Sequence, residues 1–270
     1  MFYKKDNLVI NPSNRREYKK IEGFPEVVII GHSTRWPQIL SSVSKDDPNI
    51  VVLQHTLTRY EESVLFAAYG KLIKYIFASE GSLALHTTMV KAYFNGAKYI
   101  INIGCAGGLK EDLKVGDLVI CNEVVRDSGF GNLLATDDER AVCSTRLSEL
   151  ILNGASKLGN TVKDFPKSRV GKVWCVNSLY YSEEQVDSAR QKGCDIVEME
   201  VETGAITIGW LNENYFKENP VEFAQISYIS DMLQGCNGPW CDVFASDKTE
   251  EMVIGKRDAL LATLEALKGL

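Results

Sequence analysis

The 270-residue chain has no run of 18 or more apolar residues, so no segment suits a bilayer-spanning helix. Its opening residues, Met1-Phe-Tyr-Lys-Lys-Asp, lack the apolar stretch of a secretion signal. Basic residues are not in excess. Lys and Arg number 30 against 36 Asp and Glu, a net charge of −6. That leaves no footprint for a nucleic-acid polymer, and a small anion would have to be met by local positive groups. Histidine is scarce, with His32, His55 and His86 alone. There is no Cys-x-x-Cys. Cys236 and Cys241 are the nearest pair of seven scattered cysteines, and their spacing suits neither zinc nor a thioredoxin-like site. Reduced thiols, no metal, no membrane contact and a cytoplasmic location are the expectation. No internal repeat or low-complexity tract is present.

What is there is ordinary globular material: 45% apolar and 24% charged residues, enough for one large core. Residues 1–22 are polar and irregular and read as an N-terminal extension to a domain over 23–270. Apolar strands then alternate with helical patterns. Strands are expected at Val27 to Ile30, Ile50 to Leu53, Tyr99 to Ile103, Asp117 to Val125, Val170 to Asn177, Ile196 to Glu200 and Phe223 to Ser230. Tyr69-Gly70 reads as a hairpin turn between two more. Helices are expected at Leu83 to Asn95, ending at Gly96, and at Thr145 to Leu158, capped by Gly159. Others are expected at Ser182 to Lys192, from after Glu200 to about Asn214, and from about Lys248 to Leu267. This alternation predicts a three-layer α/β domain with a central mixed sheet flanked by helices. Two connections are long, Arg126 to Val142 and Met232 to Asp247.

Three segments carry chemistry. Asn102-Ile-Gly-Cys-Ala-Gly-Gly108 follows an apolar run and places small residues, Gly104, Ala106 and Gly107, at the carboxyl edge of a sheet, where a ligand can approach the main chain. Val197-Glu-Met-Glu-Val-Glu202 carries Glu198 and Glu200, which share a face if both lie on a strand. Such a pair repels unless one meets hydroxyl donors. Glu202, at the start of the next helix, suits the helix dipole. Ile226-Ser-Tyr-Ile-Ser-Asp231 ends an apolar strand in Asp231, either a turn residue or a partly buried general acid. Gly31-His-Ser-Thr-Arg35, after the first strand, offers backbone donors and a guanidinium to an anion.

Together these segments resemble the nucleoside phosphorylase-I family of purine nucleoside phosphorylases, uridine phosphorylases and methylthioadenosine-type nucleosidases. The resemblance runs from about Glu26 to the C-terminus. It implies a nucleoside phosphorylase-like fold and cleavage of an N-glycosidic bond. Glu200 becomes the acid that accepts ribose hydroxyls, with Met199 packing on the sugar. Tyr180, Val197, Glu198 and Ser230 fall on the base side, Tyr180 as the stacking aromatic. Asp231 becomes the acid that protonates a purine at N7. Gly31, Arg35, Cys105 and Arg59 fall on the phosphate side, Arg59 being lent by a neighbouring subunit. Inorganic phosphate is the implied co-substrate, without a cofactor, and self-association as dimer, trimer or hexamer is implied. No Gln-x-Arg follows Asn177, which speaks against a pyrimidine.

The chain also departs from the pattern. Asn102 stands where phosphorylases carry Arg, and Cys105 where they carry Ser or Thr. The Gly-rich segment is nearer the nucleosidase branch, which uses water. The resemblance therefore leaves three activities open: phosphorolysis of a purine nucleoside to base and ribose 1-phosphate, hydrolysis on the same fold, or nucleoside binding without turnover.

Overall fold

A strand made only of apolar residues and glycine has no side to offer water and belongs inside a sheet covered on both faces. β1 (Val27–Gly31) fits, with all five residues buried. The computed structural model describes residues 1–5, 12, 19–32, 36–58, 61–79, 81–136, 140–178, 181–233 and 249–270. After β1 come α1 (Trp36–Asp46), β2 (Ile50–Leu57), β3 (Glu62–Ala68), β4 (Lys71–Phe77), α2 (Ser82–Asn95) and β5 (Tyr99–Gly108). The second half contains β6 (Leu118–Arg126), α3 (Thr145–Thr161), β7 (Ser168–Cys175), α4 (Glu183–Gln191), β8 (Ile196–Glu198), α5 (Val201–Asn214), β9 (Glu222–Met232) and α6 (Thr249–Leu267).

The strand order is β2-β3-β4-β1-β5-β8-β7-β6-β9, and β9 also pairs with β5. Strands β5, β8, β7, β6 and β9 therefore close on themselves, while β1 to β4 extend from β5 as an open mixed sheet. β5 is the hub. It lies parallel to β9 along its whole length and to β1 over its first half, and its last two residues also pair antiparallel with β8. Tyr69 and Gly70, with φ of 50° and 78°, make the two-residue turn between β3 and β4.

Side-chain alternation sorts the core into two layers. Val28, Ile30 and Ile100 pack under α2 and α5 with Leu85, Met89, Ile206 and Trp210. Ile29, Ile101 and Ile103 pack under α1, α3 and α6 with Trp36, Leu40, Ile151 and Leu260. The expected three-layer α/β domain with a mixed sheet is what the structure holds.

Three local expectations are corrected. α3 does not stop at Gly159 but runs to Thr161. An exposed glycine costs a helix only about 1 kcal/mol, less than the buried stripe of Leu147, Ile151 and Ala155 supplies. β5 does not give way to a loop at Gly104 but stays paired to Gly108. β8 ends at Glu198 instead of Glu200, because the Glu198 carboxylate turns back onto the next backbone amides. Glu198 and Glu200 thus do not share a strand face. The chain's first residues also reach the domain: Phe2 bridges Ala135, and Trp210 Nε1 donates to the Tyr3 carbonyl at 2.7 Å. Among the described residues, no helix is long and apolar enough to cross a membrane.

Candidate active site

The carboxyl end of β5 gathers most of the expected residues. Gly107 faces Val197 of β8 on one side and Asp231 of β9 on the other. Here the chain's own packing demands small residues. A Cβ on Gly108 would lie 2.5 Å from Met232 Sδ, and one on Gly107 would lie 3.2 Å from both Leu233 and Val197. Gly104 has more room, with Gln225 Nε2 at 3.6 Å from its Cβ position. Ala106 is buried, and its carbonyl lies 3.2 Å from Ser230 Oγ.

Asp231 is half-buried at the end of β9. Burial pushes its carboxyl above the usual carboxylate range, opposed by the Ser230 hydroxyl, which lies 2.7 Å from Oδ1. Tyr181 stands close enough for the Asp231 charge, added to burial, to raise its phenol to about 12. Its ring lies 5.2 Å from that of Trp174. Tyr181 is a residue the sequence reading passed over in favour of its neighbour Tyr180, which lies outside the described residues.

Glu200 occupies the cap position of α5 and is buried. Its Oε1 accepts the Gly81 N–H at 3.1 Å. Gly81 caps α2 with φ 95° and ψ 164°, a conformation open to glycine alone. One carboxylate oxygen of Glu200 is therefore tied to the positive end of α2. The Met199 carbonyl accepts from Ser82 Oγ, so α2 grips the segment at two points. The Met199 side chain packs against the small apolar cluster that includes Val197, Trp174 and Leu233.

Glu198 is turned inward. Its carboxylate accepts the N–H groups of Glu200 and Val201 and the Gln225 amide, the last at 2.6 Å. Burial and the adjacent Glu200 charge push its carboxyl up to about 8, against the pull of these donors. Asn102 is fully buried. Its Nδ2 donates to Gln225 Oε1 at 2.9 Å, and its Oδ1 lies 3.0 Å from His32 Nε2. Polar residues inside apolar runs, Asn102 in β5 and Gln225 in β9, were the available signal for this arrangement.

On the phosphate side, Gly31 pairs with Ile103, one strand over from the β5 end. Its missing side chain is filled by Tyr75, whose Oη would lie 1.6 Å from a Cβ. Cys105 is partly buried against the layer under α1, α3 and α6, the face opposite Asn102. Arg35 and Arg59 lie outside the described residues. Glu202 has a different role from the helix-dipole residue expected. It is buried, pairs with Arg126 Nε at 3.2 Å and accepts the N–H groups of Ser128 and Gly131. It thus pins the loop after β6 beside the start of α5. Among the described residues, no three His, Cys, Asp or Glu side chains group as a metal site requires.

Known proteins share this architecture. The uridine phosphorylase of Vibrio fischeri ES114 superposes with a TM-score of 0.71 over 93% of this chain and 95% of its own, at 19% identity. The purine nucleoside phosphorylase of Toxoplasma gondii in complex with immucillin-H gives 0.70 over 92% of each chain, also at 19%. These likenesses speak to the fold alone. In sequence, the chain is 28% identical over 127 residues to the 5'-methylthioadenosine/S-adenosylhomocysteine nucleosidase of Marinomonas sp. (strain MWYL1), covering 46% of this chain and 54% of that protein. It is 28% identical over 141 residues to the DeoD-type purine nucleoside phosphorylase of Myxococcus xanthus (strain DK1622), covering 48% and 56%. The chain thus spans about half the length of these relatives. The phosphorylase superfamily model matches residues 78–265, which is more than half of the chain, and the protein belongs to that superfamily.

Proposed function

We propose that the protein cleaves the N-glycosidic bond of a purine nucleoside by phosphorolysis, giving free base and ribose 1-phosphate. The observation that carries this reading is the half-buried Asp231 carboxyl, held above its usual range at the strand end that adjoins Gly107. A carboxyl that keeps its proton can give it to N7 as negative charge develops on the leaving purine. Glu200, with Oε1 tied by Gly81, has Oε2 to accept sugar hydroxyls. Met199 lies against the sugar, and Val197, Ser230 and the Tyr180–Tyr181 pair border the base. Glu198 acts here by holding the backbone of Glu200 more than by touching the base. Gly31, Arg35, Cys105 and the main chain at Gly104 to Gly107 receive phosphate, with Arg59 of a neighbouring copy in a homo-oligomer. No cofactor beyond inorganic phosphate is invoked, and a cytoplasmic role in nucleoside metabolism fits this chemistry.

A second reading, hydrolysis, is favoured by one specific observation. The Asn102 amide is turned inward, with Nδ2 donating to Gln225 and Oδ1 beside His32, and it brings no fixed charge to a phosphate. One lost charge-assisted contact weakens phosphate by about 1.5–3 kcal/mol. Cleavage is therefore expected to depend on phosphate but to saturate only at millimolar concentration, and Arg35→Ala to abolish that dependence. The assay incubates inosine, adenosine, guanosine, methylthioadenosine and uridine with and without phosphate and identifies the sugar. Free ribose at a rate indifferent to phosphate replaces phosphorolysis with hydrolysis. No turnover of any nucleoside leaves a binding protein.

A further inference from the structure

We propose that a second copy of this chain docks on the outer face of α2, beside the turn that holds Glu200. Among the described residues, the most exposed large apolar side chains are Met1, Leu57, Leu83 and Leu133, at 75%, 73%, 71% and 67%. Three of the four gather near the start of α2. Leu83 lies in the first turn of that helix. Leu133 ends the single helical turn Phe130–Leu133 that follows β6. His86, one turn on from Leu83, and Phe130 join the two elements, their rings 5.2 Å apart. The Met1 amino group and carbonyl bond to Thr136, just past Leu133. Apolar side chains gathered at a surface mark a face that another molecule covers.

α2 lacks the charged outer face of other helices in the chain. α3 turns Arg146 and Glu149 to water, and α4 turns Glu183 and Asp187. α2 turns out Leu83 and Thr87, with Ala84 and Thr88 half-buried beside them. Its one charged residue, Lys91, is engaged by Glu61 at 2.5 Å. Burial lowers His86 to about 4 and leaves its ring neutral at physiological pH. Thr87 Oγ1 donates to the Leu83 carbonyl at 2.9 Å, so covering it strands no donor. A helix that is apolar or small on every side suits cover on two faces. The sheet and α5 supply one cover, over Leu85, Met89 and Tyr93.

Charge selects the occupant. An anionic membrane or a nucleic acid requires basic residues, and a charged peptide requires the opposite sign. Among the described residues, this face offers no unpaired charge of either sign. The chain carries a net charge of −6, so two copies repel unless they meet through a face free of acid. A two-fold contact brings such a face to itself and needs no matching surface elsewhere. Ala84, Thr87 and Thr88 are small enough for two α2 helices to approach to about 8–10 Å. The contact reaches the site. Gly81 and Ser82, just before Leu83, bond to Glu200 Oε1 and to the Met199 carbonyl. A copy seated on Leu83 therefore steadies the turn that holds Glu200. That last step rests on the reading of Glu200 as the acid that accepts sugar hydroxyls, and the docking does not.

Sedimentation of the full chain at micromolar concentration tests the docking. The wild type is expected as a dimer, or as a larger assembly built from dimers. Leu83→Glu and Leu133→Glu are each expected to weaken the contact about 100-fold or more, as like charges brought together at an interface do. Val162→Glu, at an exposed apolar position beyond the end of α3, is expected to change nothing. Thr87→Glu and Thr87→Lys are each expected to dissociate and, when mixed, to pair. A misfolded variant is not restored by mixing, and a different partner does not supply the mate. A monomeric wild type, an assembly indifferent to Leu83→Glu, equal dissociation by Val162→Glu, or Thr87 variants that do not pair on mixing overturns the proposal. Ligand affinity tests the link to the site. Dissociated Leu83→Glu is expected to bind a ribonucleoside about tenfold more weakly, within the range of coupled neighbours, and its 2',3'-dideoxy analogue as the wild type does. An unchanged ribonucleoside affinity overturns the link. If Glu200→Ala fails to tell the two ligands apart, the sugar reading falls, and sedimentation still judges the docking.

Discussion

At the scale of single residues, the site is a set of carboxyl groups made unlike by their surroundings. Asp231 is raised by burial, Glu200 is tied by one oxygen to a helix start, and Glu198 is spent on its own backbone. The proposed acid makes a direct prediction. Asp231→Asn is expected to leave nucleoside binding intact and to slow turnover by about 10²–10⁴-fold. A loss below threefold on every accepted purine nucleoside would remove Asp231 from the mechanism. For Glu200→Ala, the expected loss in ribonucleoside binding is about 1.5–3 kcal/mol, with a dideoxy analogue spared. Calorimetry with both ligands reads this, and equal losses would make Glu200 a structural residue. The sequence displayed these carboxylates, because acids that interrupt or end apolar strands stand out in a linear reading. It did not display their division of labour. That depends on Gly81, more than a hundred residues before Glu200, and on Gln225, which comes well after Glu198.

At the scale of elements, legibility tracks how local the deciding contacts are. The turn at Tyr69-Gly70, the helix ending at Gly96 and the capped helix after Ser182 rest on contacts within a few residues, and the sequence shows all three. The capping box at Ser182 and Gln185 is complete. Ser182→Ala is expected to cost about 1 kcal/mol in a denaturation experiment. The end of β8 is different. A carboxylate that folds back on the next amides looks, in sequence, like one more strand residue. The crossing of α3 and α6 is equally silent. Gly154 sits where a Cβ would lie 2.6 Å from the Ala262 carbonyl and 2.9 Å from the Ala266 nitrogen. Backbone cannot yield there as a flexible side chain can. Gly154→Val is therefore expected to destabilise by about 3 kcal/mol, several times the roughly 0.5 kcal/mol of a surface change, read as a lowered urea midpoint. An unchanged midpoint would mean that the helices separate freely.

At the scale of the molecule, charge links the open sheet to its helical cover. Glu61 pairs with Lys74 of β4 and Lys91 of α2. Burial alone would raise its carboxyl, but the two ammonium groups outweigh burial and hold it at about 2. A carboxyl lowered on folding stabilises the fold above its unfolded value, and that stabilisation fades as pH falls through the folded one. The contribution is thus full above about pH 4.5 and lost toward pH 2. Glu61→Gln is expected to melt earlier than wild type at pH 6, with the gap closing by pH 2. A gap independent of pH would assign the effect to packing. The three layers were readable because apolar strands alternate with helical patterns along the chain. The ring of β5, β8, β7, β6 and β9 was not, since its closure joins residues 99–108 to 222–232.

That closure bears on how the chain emerges from synthesis. Asn102 is made early, and the amide that satisfies it belongs to Gln225, 123 residues later. Until β9 arrives, Asn102 and Glu198 lack a protein partner that the finished interior supplies, and each must stay in contact with water. A nascent chain halted before residue 222 would therefore keep its central layer wet and open to proteolysis. The final drying of the interior would wait for β9, the last strand among the described residues.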